Sequence, residues 1–482
     1  MLKDIIEERL KKLSRLKAAG VNPYPRVVER THSVAAAREK FQALARARKK
    51  IVLVGRITAW RDQGNLIFLD LKDGTGQIQI IFKKDSLKNF DLWKDVLDRG
   101  DFISAFGLLL KTKKGEESLE AETVEIISKS LRPIPTEWYG IEETETRLRQ
   151  RYLDLLLNPE VGEIFRKKEI FWNTFREYLK EKGFLEVETP VFEQLPGGAD
   201  AEPFRTHHNA LDTDFYLRIS LELPLKKLLV GGFEKVFEIG RIFRNEGIDK
   251  EHLQDYTQLE FYWAYADYND LMDLIEALYK EVVKKTAGGL TTKWEGKTIN
   301  WGKKWPKIDF VEAFTDINKL NPLEASREDL FKKAKSLGLS PEPNLGKGRL
   351  IDLIFKKTVR PTFIQPVFLV NPPIELVPLT KRSEKDPRVG ERMQPVACGT
   401  ELGTGFTELN DPIDQRARFK EQMKLREAGD KEAQQLDEDF VEAMEYGMPP
   451  ATGFGVSERF FAVLMDKPVR ETVIFPLMKP KK

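Results

Sequence analysis

Two stretches near the middle of the 482-residue chain, VFEIGRIFRNEG at 236–247 and YTQLEFYWAY at 256–265, alternate in the manner of paired β-strands. Side chains on a strand point to opposite faces with period two. On the second stretch Tyr256, Gln258, Glu260 and Tyr262 therefore share one face. If the first strand runs to 246, Arg244 and Glu246 also share a face. A hairpin with a long polar loop then sets an arginine, two or three acids and aromatic rings over one sheet surface. Charges on a strand usually mark a solvated, salt-bridged face. Aromatic rings on the same face weigh toward a binding surface instead.

Three other stretches belong with this sheet. TELGTGFTELNDP at 400–412 alternates so that Thr404, Phe406 and Glu408 fall together. Glu401 falls on the opposite face unless the glycines at 403 and 405 admit a bulge. TGFGVSERFF at 452–461 places glycines before Arg459 at a strand-to-helix junction, which suits a phosphate site. A glycine pattern of this kind alone marks a turn in most proteins. GFLEVETPVF at 183–192 follows a helical pattern and reads by itself as an ordinary strand entry ending in a proline.

The rest of the chain divides by pattern. Residues 1–50 read as helical and charged, with Ile5, Ile6, Leu10, Leu13 and Leu16 at helical spacing. That helix packs on a neighbouring domain, or its Lys11, Lys12, Arg15 and Lys17 also touch RNA phosphates. From 51 to 130 short β-type runs are separated by DQGN, KDGTG, LDRGD and KKGEE, the pattern of a small barrel. An OB-fold is the natural candidate, and strand counting alone does not separate it from another barrel. Residues 131–150 read as a linker with prolines and a run of acids. Residues 151–482 read as a larger domain mixing helices with a mainly antiparallel sheet. The fold class is α+β.

Composition narrows the function classes. A net charge of +2 gives no bulk pull toward nucleic acid or membrane, so any such contact uses local patches. The single Cys398 excludes an intrachain disulfide and a cysteine zinc site. Four histidines leave little for a histidine metal site. The charged, amphipathic N-terminus is not a secretory signal, and no apolar run suits a membrane helix. A cytoplasmic setting is expected.

Taken together these stretches resemble the class II aminoacyl-tRNA synthetases, and within them the lysine enzymes of subclass b. RQRYLDLLLNPE, GGADAEPFRTHHNALDTDFYLRIS, LLVGGFEKVFEIGRIFRNEG, EFYWAYADY, FTELNDPIDQRARF, DEDFVEAMEYGMPP and RETVIFPLMKP carry the resemblance, which runs from about Val52 to the C-terminus. It implies an AMP-forming ligase that activates L-lysine with ATP and passes it to the 3′ end of tRNA(Lys). It also implies an N-terminal anticodon-binding OB-fold and a homodimer whose interface includes GFLEVETP.

Roles follow residue by residue from the match. Arg244 is implied to bind the amino-acid carboxylate and the α-phosphate, Glu246 the adenine amino group, and His252 the terminal phosphates. Tyr256 stands where a phenylalanine usually stacks on adenine, and Arg459 clamps the γ-phosphate. Glu260 and Glu408 are implied to hold the lysine side-chain ammonium, Tyr262 and Phe406 its methylene stem, and Glu222 the α-amino group, with Gly198 and Thr404 completing the pocket. Glu401 contacts ATP and Mg²⁺. Phe68 and Gln79 match positions that stack on and hydrogen-bond an anticodon base. Phe68 has a second reading, as barrel core. His207 and His208 match family positions and are as readily structural.

The chain also departs from the family. Pro224 replaces a tyrosine, Glu251 an arginine, Leu253-Gln254 an asparagine-proline pair, Thr404 an asparagine, and Gln394 a metal-binding glutamate. The third motif, around Gly453 and Gly455, is about one residue short. These changes bear most on Mg²⁺, because a neutral amide replaces one hard carboxylate ligand. Two other functions stay open: a ligase attaching lysine to an acceptor other than tRNA, and a non-catalytic RNA-binding relative.

Overall fold

The computed structural model describes residues 2–135, 143–247, 252–343, 345–427, 429 and 433–480. The chain forms two compact units, 1–142 and 143–482.

In the first unit five strands close into a barrel in the order Lys50–Asp62, Leu66–Lys72, Gln77–Lys83, Glu117–Ser128 and Phe102–Lys111. Alternation explains the closure. Ile67, Leu69 and Leu71 point inward and are fully buried, while Leu66, Phe68, Asp70 and Lys72 face outward. The N-terminal helix Leu2–Ala18 sends Leu16 into the same core. Its Arg9 guanidinium donates to the carbonyls of Arg99, Ser130 and Arg132, each at 3.0 Å. Lys12 and Arg15 pair with Asp98 and Asp95 at 2.8 Å. Two of the four cations offered to RNA are thus engaged with the barrel unit, which favours the packing role for this helix.

The second unit is built on a nine-stranded sheet. Its main path runs Lys307–Asp309, Val367–Val370, Arg392–Ala397, Thr404–Thr407, Ala451–Ser457, Asp255–Ala264, Lys235–Phe243, Leu185–Glu186. All neighbours pair antiparallel except the two at the ends of the path. The α+β reading therefore holds. One face is dry. Leu259 and Phe261, with Phe237, Phe454, Val456 and Met393, pack under the helices Pro159–Glu181 and Tyr268–Ala287. The second helix starts on a capping box between Asp267 and Asp270 and stops at Gly288, in the left-handed region at φ 79°. With that face filled by helices, the even-numbered residues of 256–262 face the opposite side, where the site lies. No helix among the described residues is long and apolar enough to cross a membrane.

The strand at 235 ends at Phe243, three residues before the expected end. Beyond it the Arg244 N–H still bonds the Gln254 carbonyl at 2.8 Å, but the Asn245 N–H turns to the Glu202 carbonyl at 2.7 Å. Arg244 and Glu246 are therefore placed by the neck of a loop rather than by a strand pleat. The TELGTGFTEL stretch takes the bulged form that its glycines admit, with its register slipping by one residue. It forms two short strands, Thr400–Glu401 and Thr404–Thr407, both against Arg392–Ala397.

Candidate active site

The face opposite the helices carries a cluster of buried charge. Glu222 opens the helix Glu222–Val230, Glu260 lies on the central strand, and Glu408 follows the strand Thr404–Thr407. They are 7%, 3% and 0% exposed. Burying carboxylates is costly unless each finds partners. Glu260 finds four. One oxygen accepts from the Ser220 hydroxyl at 2.8 Å, the Leu221 N–H at 2.9 Å and the Gln258 amide, and the other accepts from the Tyr262 hydroxyl at 3.0 Å. The period-two reading of this strand is thereby realised, with Gln258, Glu260 and Tyr262 on one face. Glu222 and Glu408 meet a cation instead. Both pair with the ammonium of Lys226, whose side chain is itself fully buried.

Lys226 did not emerge from sequence reasoning, and it changes the expected pocket. Its Nζ lies 5.2 Å from the Phe406 ring centroid and 5.9 Å from that of Tyr262, the two rings expected to flank a lysine stem. The expected acid pair was Glu260 with Glu408. The pair that converges on a cation here is Glu222 with Glu408, while Glu260 is engaged by neighbouring donors. Burial raises the pKa of both Glu222 and Glu408, and Lys226 opposes the rise in each. Burial works against the charge on Lys226, but the two carboxylates outweigh it and its pKa is raised. Burial, followed by the three glutamates, holds the Tyr262 hydroxyl well above its ordinary range, so it stays a neutral donor.

Glycines make the close approach possible. A Cβ on Gly453 would collide with the Tyr262 ring and lie 2.5 Å from the Glu408 carboxylate. Gly198, at φ 78°, backs onto Glu222, where a Cβ would come within 2.9 Å of its Cβ.

Beside this pocket lies a second constellation. The Arg244 Nε donates to the Ile219 carbonyl at 3.2 Å, and its guanidinium carbon sits 5.8 Å from the Tyr256 ring centroid. Burial raises the Tyr256 phenol pKa, with Arg244 and Arg459 lowering it and Glu246 and Glu260 raising it. Arg244, Glu246, Tyr256 and Arg459 therefore share one electrostatic neighbourhood with Glu260. Arg459 stands where expected, in the first turn of the helix Glu458–Leu464 after the strand Ala451–Ser457. The neighbouring Glu458 fixes that junction by accepting from the Thr257 N–H at 3.0 Å and from Lys168 at 2.7 Å. Gln254, at one of the family departures, donates to the carbonyls of Glu246 and Gly247 at 3.3 and 3.1 Å. It thus ties the neck of the loop, while His252 lies half-buried just before it. Glu251 is outside the described residues.

Glu401 and Thr404 meet around Arg392. Its guanidinium donates to the Thr404 hydroxyl at 2.8 Å and lies 4.0 Å from the Glu401 carboxylate. A one-residue slip of register against Arg392–Ala397, from Val396↔Glu401 to Met393↔Gly405, is the bulge that the glycines admit, and it brings Glu401 and Thr404 to one face and one guanidinium. Buried Gln394 lies two residues from Arg392 on the same strand face. His207 and His208 stand apart on a small three-stranded sheet. Both are exposed, and His207 Nδ1 lies 2.9 Å from Asp214.

In the barrel unit Phe68 is half-buried on the outer face, which rules out the core reading. Gln79 pairs with Asp70 across the adjacent strand while Phe68 pairs with Ile81, so the two lie diagonally on the same face. The Gln79 carbonyl accepts from the Ser118 hydroxyl at 2.9 Å.

Comparison with known proteins accords with this geometry. A family model for class II tRNA synthetases (D, K and N) matches residues 143–479, and one for the OB-fold nucleic acid binding domain matches residues 51–133. The chain is 43% identical to a lysine–tRNA ligase of Roseiflexus sp. (strain RS-1), over 100% of this chain and 99% of that protein. It is 44% identical to one of Moorella thermoacetica, over 99% and 98% of the two chains. It is 42% identical to one of Thermotoga maritima, over 100% and 97%. With an antiparallel sheet carrying the site, a closed barrel before it and full-length relatives of one kind, the chain belongs to the class II tRNA synthetases and, within them, to the lysine–tRNA ligase family.

Proposed function

We propose that this protein activates L-lysine with ATP and transfers it to the 3′ end of tRNA(Lys). The observation that carries the reading is the buried acidic pocket with Tyr262 and Phe406, set beside Arg244, Tyr256 and Arg459. A pocket of that charge suits an amino acid with a cationic side chain and leaves its acids unpaired with leucine or methionine. Glu408 takes the side-chain ammonium with support from Glu260, Glu222 takes the α-amino group, and Gly198 and Thr404 complete the walls. Arg244 binds the carboxylate and the α-phosphate. A carboxylate oxygen attacks the α-phosphorus, pyrophosphate leaves, and the guanidinium fork stabilises the charge growing there. Tyr256 stacks on adenine, Glu246 accepts from its amino group, and His252 and Arg459 hold the outer phosphates. A terminal ribose hydroxyl of tRNA then takes the lysyl group and AMP departs. Lysine-dependent ATP–pyrophosphate exchange, followed by charging of tRNA(Lys), tests the reading. Absence of exchange at high Mg²⁺ sinks it.

Among the described residues no group of three or more His, Cys, Asp or Glu side chains converges as a metal cage. Glu401 offers one carboxylate, with Arg392 4.0 Å away, and Gln394 offers one neutral oxygen. That donor set fits Mg²⁺ arriving on the triphosphate, since Mg²⁺ is commonly held by one or two carboxylates together with substrate phosphates. Bound there, the ion would neutralise phosphate charge.

The barrel, over about residues 51–130, serves as the anticodon-binding domain, with 131–150 joining it to the catalytic domain at 151–482. Phe68 stacks on a base and Gln79 hydrogen-bonds it. Phe68→Ala is expected to lower kcat/KM for tRNA charging by roughly 10- to 100-fold, the value of one lost stack, while lysine-dependent exchange stays unchanged. A parallel loss of exchange would place Phe68 in folding instead.

The protein works as a cytoplasmic homodimer. The GFLEVETP stretch supports this, because Leu185–Glu186 forms an edge strand and Leu185, Phe192 and Leu195 are 48%, 59% and 42% exposed. Sedimentation at micromolar concentration is expected to give the mass of two chains, and a single-chain mass would refute the pairing.

A further inference from the structure

We propose that Lys226 is a specificity-determining residue of the lysine pocket, a built-in counter-ion that leaves the site short of two positive charges, the number an entering lysine brings. The inference rests on the lysine-activating reading above and adds to it the reason this pocket carries three acids. Glu222, Glu260 and Glu408 supply three negative charges and Lys226 supplies one positive charge, which leaves −2. The α- and ε-ammonium groups of lysine together carry two positive charges, and its carboxylate faces Arg244 outside the acidic cluster. An amino acid with an uncharged side chain brings one ammonium and leaves a buried carboxylate without a partner.

Lys226 is placed to be permanent rather than a stand-in that substrate expels. It sits one helical turn after Glu222 on the helix Glu222–Val230, and its side chain is fully buried. Glu408 meets it from the end of the Thr404–Thr407 strand, Phe406 from within that strand, and Tyr262 from the central strand. Glu260 stands one hydrogen bond beyond, through Tyr262, and Asp200, whose charge is felt at Glu222, is itself paired with Arg349 at 3.3 Å and so leaves the balance unchanged. Around them lie Leu221, Leu225, Leu229, Val236 and Ile242, an apolar surround in which a displaced ammonium would find no partner. Burial raises the pKa of Glu222 and Glu408 and Lys226 opposes the rise in each, so loss of Lys226 would push both further toward the neutral acid.

The test is lysine-dependent ATP–pyrophosphate exchange by the full chain. Lys226→Met is expected to raise the KM for lysine at least about tenfold, with the KM for ATP unchanged and kcat within roughly threefold, the pattern of lost ground-state binding. Lys226→Arg keeps the cation and is expected to recover most of the loss. A lysine KM within about twofold of the parent in Lys226→Met, or a tighter one, overturns the proposal. The double variant Lys226→Met with Glu408→Gln keeps the test open even if Lys226→Met alone does not fold, because no acid at 408 is left unpaired. It restores the −2 balance and is expected to bind lysine at least as tightly as Glu408→Gln alone. Weaker binding by the double variant overturns the charge account. A parent chain without exchange would overturn the activity reading as well, whereas exchange by the parent with an unchanged Lys226→Met overturns this inference alone.

Discussion

Glu408→Gln is expected to lower kcat/KM for lysine in ATP–pyrophosphate exchange by about 10³-fold, chiefly by raising the KM for lysine. The change is nearly isosteric and removes one charge at a position that is 0% exposed. In so dry a place a carboxylate facing an ammonium is worth several kcal/mol, and breaking one side of a buried pair costs roughly 3–5 kcal/mol. A factor of ~10³ corresponds to about 4 kcal/mol, within that range. The variant also takes one of two acids from Lys226, so its thermal midpoint is expected to fall somewhat. Glu260→Gln serves as the contrast. All four donors to Glu260 come from the protein itself, and a glutamine NH₂ would face N–H and O–H groups that need an acceptor. That variant should lose stability and activity together, whereas Glu408→Gln should remain folded and bind poorly. A Glu408→Gln enzyme within tenfold of the parent would show that the ammonium is recognised elsewhere.

The difference between these two acids was only half legible in the sequence. Period-two alternation put Gln258, Glu260 and Tyr262 on one strand face, and the structure keeps them there because Leu259 and Phe261 are drawn under the helices. Alternation cannot tell which acid is already engaged by neighbours, since Ser220 and Leu221 reach Glu260 from another part of the chain. Lys226 had a readable signal that was missed. Glu222, Leu225, Lys226 and Leu229 recur at helical spacing, which puts a lysine on the buried stripe of a short helix, and a buried lysine needs an acid. Phe68 could likewise have been settled from sequence, because Ile67, Leu69 and Leu71 claim the inner face of its strand. The early end of the strand at Phe243 has another source. Beyond Phe243 the chain is directed by the contact of Asn245 with Glu202, remote in sequence. The bulge between Glu401 and Thr404, which alternation left as one of two options, falls at Gly403, where a Cβ would strike the Phe454 ring and the Gly455 carbonyl. Pleat arithmetic ends where such tertiary contacts begin, and that is where the phosphate-binding candidates sit.

Arg244 is one of those candidates, and its replacement is expected to be as damaging as that of Glu408 in a different kinetic term. Arg244→Ala should lower kcat for adenylate formation by about 10²–10³-fold, the range for removing one preorganised donor to developing charge. The guanidinium is oriented before substrate arrives. Its Nε is held by the Ile219 carbonyl at 3.2 Å, and its plane is placed near the Tyr256 ring. A planar fork fixed through one nitrogen can span a carboxylate and a phosphate oxygen together, which a lysine ammonium cannot reproduce. Arg244→Lys is therefore expected to recover no more than about tenfold of the loss, although it keeps the charge. Pre-steady-state measurement of adenylate formation separates the outcomes. If charge alone mattered, the lysine variant would approach the parent rate. If the fork matters, both variants fall in kcat and in kcat/KM alike, because the interaction they lose is made in the transition state. The lysine KM, set in the acidic pocket by Glu222, Glu408 and Lys226, should move far less in these variants than in Glu408→Gln. A large rise in lysine KM with kcat preserved in Arg244→Ala would leave Arg244 an anchor for the ground-state carboxylate alone and remove its role at the α-phosphate.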